Sequence, residues 1–398
     1  MSHGFKDFYQ WASATRVIAG RGLIESTGFE FAKEGARRVL VVTDPGVHGT
    51  GLVERVEAGL ADGGLETAGV FQDVPQDSDT AVVERVAEQA RAAGADSFLA
   101  VGGGSVMDTA KAADVVFTHG GRIRDWEGFY VLPREQDGLG RPLPLAPLAC
   151  IPTTAGTGSE VSFAAVVRDV GASLKMEVAD FPLFPRLAIL DPDATSTLPA
   201  PVAAATGMDA LTHAVEGYVS SEWSAHGDAF ALHALRLIHA NLEPAVLTPQ
   251  DEDARGNMLV AASLAIVPTG SGAIGIAHSM SHACGGRYGV AHGVANAVCL
   301  PHVIRFNALA GAQVVERYAD LARLLGLDRG ADEAVEALAE HLERLRDRLG
   351  LPARLSGLGV PEDGISLLAE AAMGDVCTLV NPREPSREDF EELFRRAL

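Results

Sequence analysis

At 398 residues and 47% apolar composition, the chain is long enough to bury a large core, and its length favours two domains. A formal net charge of −21 argues against binding a phosphate backbone, which rests on Lys and Arg, so nucleic acid is not an expected partner. The first residues, MSHGFKDFYQW, lack a basic stretch followed by an apolar run, and no window reaches the ~20 apolar residues that span a bilayer; a cytoplasmic protein with no membrane partner is expected.

From residue 36 to 116 two periodicities alternate. The apolar runs Val39-Leu40-Val41-Val42 and Phe98-Leu99-Ala100-Val101 are separated by helix-like stretches such as 81–93. This βαβ pattern predicts a parallel sheet with ligands at the carboxyl ends of its strands. Asp44 follows the first run, where a carboxylate accepts from a ribose diol and repels a 2′-phosphate, which favours NAD over NADP; Asp44-Pro45-Gly46 also reads as a plain turn. After the second run comes Gly102-Gly103-Gly104-Ser105, opening a helix. Three residues without Cβ let backbone amides approach a pyrophosphate; the structural alternative is a tight turn closed by a Ser105/Asp108 capping box. It is not the GxGxxG fingerprint. A second loop, 152–160, follows the run Leu148 to Ile151 and concentrates hydroxyls and glycines, which suits contacts to carboxamide and phosphates, or simply a loop. Lys175 is one of few cations in this half and can neutralise a phosphate or be a surface charge.

The segment Leu190 to Pro199 breaks regular structure with two prolines, so domains of 1–195 and 196–398 are expected. Beyond it, Ala/Leu/Glu/Arg segments at 201–219, 226–246, 313–325 and 332–349 predict an all-helical half. Asp209 and His213 are four apart on one helical face; His278 and His282 repeat that spacing, and His292 follows ten residues later. Either pair alone is a weak signal. Together, one carboxylate and three imidazoles make a site for Fe²⁺ or Zn²⁺ with an open position for substrate. Five such side chains exceed a tetrahedral site by one, and His282 is assigned to proton transfer. His233, His239 and His302 are expected to serve packing. Cys150, Cys284, Cys299 and Cys377 have no CxxC spacing and are expected to be reduced and mostly buried.

Read in order, GGGSVMDTAK, PTTAGTGSE, DALTHAVE and AHSMSHACGGRYGVAHG resemble the iron-containing (group III) alcohol dehydrogenase family, and the resemblance runs nearly end to end. It implies an α/β Rossmann-like dinucleotide-binding domain followed by an all-α metal-binding domain, in the dehydroquinate synthase-like architecture. It implies Asp209, His213, His278 and His292 as metal ligands, with iron usual and zinc or other divalent ions in some members, and His282 as the non-ligand histidine near substrate. Gly102, Gly103, Gly104 and Ser105 match the pyrophosphate loop, Thr153, Thr154 and Thr157 the nicotinamide-side loop, and Lys175 a lysine approaching the cofactor. The implied activity is hydride transfer between nicotinamide C4 and an alcohol or aldehyde, in a homodimer or higher homo-oligomer. Two stretches depart from the family. Val267 to Gly272 should leave a roomier, more polar substrate wall, and Asp125 to Pro147 is a longer connector whose aromatics line the cleft or merely pack. Rival readings are a hydroxyacid–oxoacid transhydrogenase, disfavoured by His282; a 4-hydroxybutyrate-type dehydrogenase; a dehydroquinate-synthase-type lyase, disfavoured by the lack of a basic cluster; and a non-catalytic nucleotide-binding homologue, disfavoured by the full ligand set.

Overall fold

The computed structural model describes residues 8–133, 144–171, 174–269, 274–327 and 330–398. The chain divides into two compact units, Ser13–Leu198 and Pro199–Leu398, with residues 8–12 belonging to the second.

Among the described residues of the first unit, nine strands form two sheets. They are β1 (Arg16–Ala19), β2 (Arg38–Thr43), β3 (Glu66–Phe71), β4 (Ser97–Gly102), β5 (Gly128–Phe129), β6 (Leu148–Pro152), β7 (Ala164–Asp169), β8 (Leu174–Ala179) and β9 (Leu187–Leu190). Six of them make a parallel sheet in the order β1-β9-β6-β4-β2-β3. Successive side chains of a strand point to opposite faces, and both faces here are buried. Leu40, Val42, Phe98, Ala100, Leu148 and Cys150 enter one core cluster, while Val39, Val41, Leu99, Val101, Ala149 and Ile151 enter the other. That is why these strands read as unbroken apolar runs rather than as alternations. Helices Leu52–Asp62, Thr80–Ala93 and Gly104–His119 are among those that cover the sheet.

A three-stranded sheet, β5-β8-β7, was not foreseen; β7 and β8 pair antiparallel and β5 joins β8 in parallel. Its inward residues Ala165, Val167, Met176 and Val178 extend the first core cluster. Within the connector, Trp126 packs against that cluster and donates from Nε1 to Gly120 O at 3.1 Å, as the packing alternative expects of this aromatic. Residues 134–143 of the connector lie outside the described residues, as do 270–272 of the expected substrate wall.

The described part of the second unit is helical, as the 3.6-residue pattern predicts. Helices Ala200–Val219, Ala225–Leu247, Ala312–Leu324 and Ala331–Arg348 fall within a residue of the expected spans. Ala200–Val219 is the central one: every residue from Gly207 to Val219 is buried. Helices Ile276–Tyr288 and His292–Asn307 both pack close to it. The N-terminal residues attach far along the chain, with Tyr9 Oη 3.0 Å from His226 Nδ1 and Trp11 stacked on His226 and Phe230 at 5.1 and 5.8 Å. All four cysteines are buried, and none forms a disulfide. No described helix is long and apolar enough to cross a membrane.

Candidate active site

The order of the large sheet decides where its ligand loops converge. β3 lies on one side of β2, while β4, β6 and β9 extend on the other, so the strand order reverses at the β2/β4 boundary. A crevice outside the carboxyl ends of strands at such a point is the usual ligand position. Parallel pairing with Thr43 opposite Val101 and Gly102 opposite Pro152 brings Asp44, the glycine loop and the threonine loop to neighbouring strand ends.

Close packing explains the glycines. A Cβ on Gly104 would stand 2.7 Å from Thr157 Cγ2, one on Gly103 3.3 Å from Thr154, and one on Gly102 2.5 Å from Val106. The helix Gly104–His119 starts on Gly103 with no side-chain cap, which leaves its first amides to the loop. The Ser105/Asp108 capping box does not form, because both side chains are engaged elsewhere. Ser105 Oγ accepts from Asp77 N at 3.2 Å, and Asp108 accepts from Ser159 Oγ at 2.6 Å and Val166 N at 3.2 Å. Fully buried Lys111 donates to Ser159 Oγ (2.8 Å), Ser162 Oγ (3.0 Å) and Ala164 O (2.8 Å), tying this helix to the threonine loop. Thr153 is buried, and its amide donates to Gly102 O at 3.0 Å. Asp44 caps a helical turn by accepting from Val47 N at 3.0 Å, in keeping with the turn reading. Lys175 sits 3.0 Å from Asp77 Oδ1, so an acidic neighbour already balances its charge.

In the second unit, Asp209 and His213 project from Ala200–Val219, His278 and His282 from Ile276–Tyr288, and His292 opens the helix His292–Asn307. Ligand atoms of Asp209, His278 and His292 all lie within 4.8 Å of one another. His278 Nε2 and His292 Nε2 are 3.6 and 3.3 Å from Asp209 Oδ1. His213 is outside that group of three, but its ring stacks on His278 with centroids 4.6 Å apart. The close fit of the helices sets these positions: a Cβ on Gly293 would meet Ala205 O at 2.1 Å, and one on Gly275 would meet Glu216 Oε1 at 2.5 Å.

The donor set fits a divalent cation. Among the described residues, buried His278 Nε2 has no hydrogen-bond partner, an arrangement that costs free energy unless something binds there. Burial alone pushes the Asp209 carboxyl up, but His292, His213 and His278 outweigh it and hold it well below the usual range. Burial lowers His278, yet Asp209 and Glu216 carry it up to about 9; burial takes His292 down to about 4 against the pull of Asp209. A proton shared among such groups is what a cation displaces.

Four partners escaped the sequence reading. Glu216 Oε2 is 2.6 Å from His278 Nδ1 and Oε1 accepts from Ala277 N at 2.7 Å; Ser281 Oγ is 2.9 Å from His292 Nδ1; Asn296 Nδ2 donates to Asp209 Oδ1 at 2.8 Å; and Asp375 Oδ2 is 2.8 Å from His282 Nδ1. Glu216 lies two turns beyond Asp209 on the same helix, so periodicity could have found it.

The sequence agrees with this geometry at family level. Residues 14–192 match the model of iron-containing alcohol dehydrogenases, and residues 203–398 that of the C-terminal part of the Fe-containing alcohol dehydrogenase family. The chain belongs to the iron-containing alcohol dehydrogenase family. Similar proteins include the NAD-dependent methanol dehydrogenase of Bacillus methanolicus, 38% identical, with 96% of this chain and 97% of the relative covered. Another is the 4-hydroxybutyrate dehydrogenase of Cupriavidus necator, 36% identical over 96% and 98% of the two chains. Among solved structures, that of a 1,3-propanediol oxidoreductase superposes with a TM-score of 0.92 at 33% identity, covering 98% of this chain and all of the other. Both the α/β fold with its parallel six-stranded sheet and the helical C-terminal half are those of the family.

Proposed function

We propose that this alcohol dehydrogenase interconverts alcohols and aldehydes with NAD, using a divalent metal, most readily Fe²⁺, held by Asp209, His213, His278 and His292. The observation that carries the reading is the set of ligand atoms from Asp209, His278 and His292 within 4.8 Å, with His213 stacked against it and His278 Nε2 without a hydrogen-bond partner among the described residues. When bound, the metal supplies Lewis acidity toward the substrate oxygen and the nicotinamide carries the hydride. The chain's own residues do the rest. Glu216, Ser281 and Asn296 orient the ligands, and His282, whose side chain is 22% exposed, exchanges the hydroxyl proton with solvent.

Residues 13–198 form the cofactor domain of this reading, and 199–398 with 8–12 the metal domain. Gly102, Gly103, Gly104 and Ser105 receive the pyrophosphate; Thr153, Thr154 and Thr157 line the nicotinamide side; Asp44 favours NAD over NADP; and Lys175 exchanges Asp77 for a phosphate. The enzyme works as a cytoplasmic homo-oligomer on a small alcohol or aldehyde. Stripping the metal with a chelator should abolish NAD reduction, and adding Fe²⁺ or Zn²⁺ back should restore it; turnover that survives complete metal removal sinks the proposal. Free NADH should appear at the rate of alcohol oxidation, whereas a transhydrogenase would keep its nicotinamide bound.

A further inference from the structure

Three imidazoles on the helices Ile276–Tyr288 and His292–Asn307 are each held at Nδ1. Glu216 stands behind His278 at 2.6 Å, Ser281 behind His292 at 2.9 Å, and Asp375 behind His282 at 2.8 Å. For a metal-binding imidazole, such a partner fixes the tautomer and commits Nε2 to the cation. His282 is not among the proposed ligands, yet it receives the same device from a carboxylate. Asp375 is itself pinned: its Oδ1 accepts from Cys377 N at 2.9 Å and from Ser279 Oγ at 3.4 Å. Thr378, one turn on, is fixed in the same patch, with its Oγ1 2.9 Å from Ser279 Oγ and donating to Ala372 O at 2.8 Å. The His282 ring lies stacked on His292, centroids 5.1 Å apart and planes 18° from parallel, which limits its rotation from the other side.

We infer that Asp375 is the positioning residue of the proton relay: it holds His282 as the Nδ1–H tautomer and leaves Nε2 to take up the alcohol proton. In oxidation the carbon gives its hydride to the nicotinamide and the hydroxyl gives its proton to Nε2, which passes it to water; reduction runs both transfers backwards. This rests on the relay role given to His282 above. A carboxylate that orients a histidine without touching substrate is expected to act on turnover and not on binding.

The test uses the full-length, metal-loaded enzyme with Asp375→Asn and His282→Gln, singly and combined, on one primary alcohol. Asp375→Asn should lower kcat ~100-fold or more while metal content and KM stay within about twofold, and in the His282→Gln background it should cost at most about twofold further. The ¹⁵N resonance of His282, assigned by its disappearance in His282→Gln, should show Nδ1 losing its proton in Asp375→Asn, because the amide can donate to it. Asp375→Glu, which keeps the carboxylate, should keep the Nδ1–H signal and recover much of the turnover. Equal losses in Asp375→Glu and Asp375→Asn, an unchanged tautomer, or costs that multiply in the double variant overturn the role of Asp375. Full turnover in His282→Gln instead overturns the relay reading beneath it.

Discussion

Gly293 has no side chain to offer a cation, yet it sets where its neighbour His292 stands. Its missing side chain lets the start of His292–Asn307 press against Ala205 O, and Asp209 Cβ is only 3.3 Å from where a Cβ would lie. Gly293→Ala should therefore push the two helices apart and cut metal content sharply, while far-ultraviolet dichroism stays close to wild type. Metal bound at wild-type stoichiometry would refute this. Glu216 acts on His278 by bonding instead of by space. Glu216→Gln keeps the shape but can turn an N–H toward Nδ1, and metal affinity should fall ~10–100-fold in a competition titration. An unchanged affinity would mean the ring is oriented by packing alone.

At the scale of elements, Asp114 on the helix Gly104–His119 links that helix to the chain entering β6. Its Oδ1 accepts from Thr118 Oγ1 at 3.0 Å and Ala146 N at 3.1 Å. Burial pushes its carboxyl up to about 7 from an ordinary 3.8. Between those values the folded state keeps a proton that the unfolded chain has lost, so this stabilising contribution is complete at the acid end and gone above about pH 7. The slope reaches about 1.4 kcal/mol per pH unit. Asp114→Asn should remove it, so urea midpoints of the variant and wild type, compared from pH 5 to 8, should diverge in the variant's favour as pH rises; parallel curves would sink the assignment.

The elements that repeat locally were the readable ones. Val39–Val42 and Phe98–Val101 are buried on both faces and announce strands of a parallel sheet, and Asp209/His213 and His278/His282 announce their helices by spacing. The β7/β8 hairpin stayed hidden because it has one half-exposed face and charges within it, Arg168, Asp169, Lys175 and Glu177 among them, so no apolar run marks it. Asp375 stayed hidden because its partner is 93 residues away, a separation no periodicity spans. Nothing local in the sequence marks Lys111 as buried. Only the fold places Ser159, Ser162 and Ala164 O around its Nζ.

For the whole molecule, the proposed ligands lie in one compact unit and the proposed cofactor loops in the other. A ligand that binds only folded protein stabilises it by an amount set by its concentration over Kd, about 2.7 kcal/mol at a hundredfold excess. Metal should therefore slow amide exchange chiefly in Ala200–Val219, Ile276–Tyr288 and His292–Asn307, and NAD in residues 13–198. Protection by metal confined to the α/β unit would contradict the assignment.

The attachment of Tyr9 and Trp11 to His226 has a consequence for how the chain matures on the ribosome. The parallel sheet is complete once β9 has emerged and can fold as a unit during synthesis. Residues 8–12 are made before all of it, yet their aromatic partners arrive 217 residues after Tyr9. Residues 8–12 thus precede the entire α/β unit in synthesis, while the helix Ala225–Leu247 that carries their partner His226 follows it.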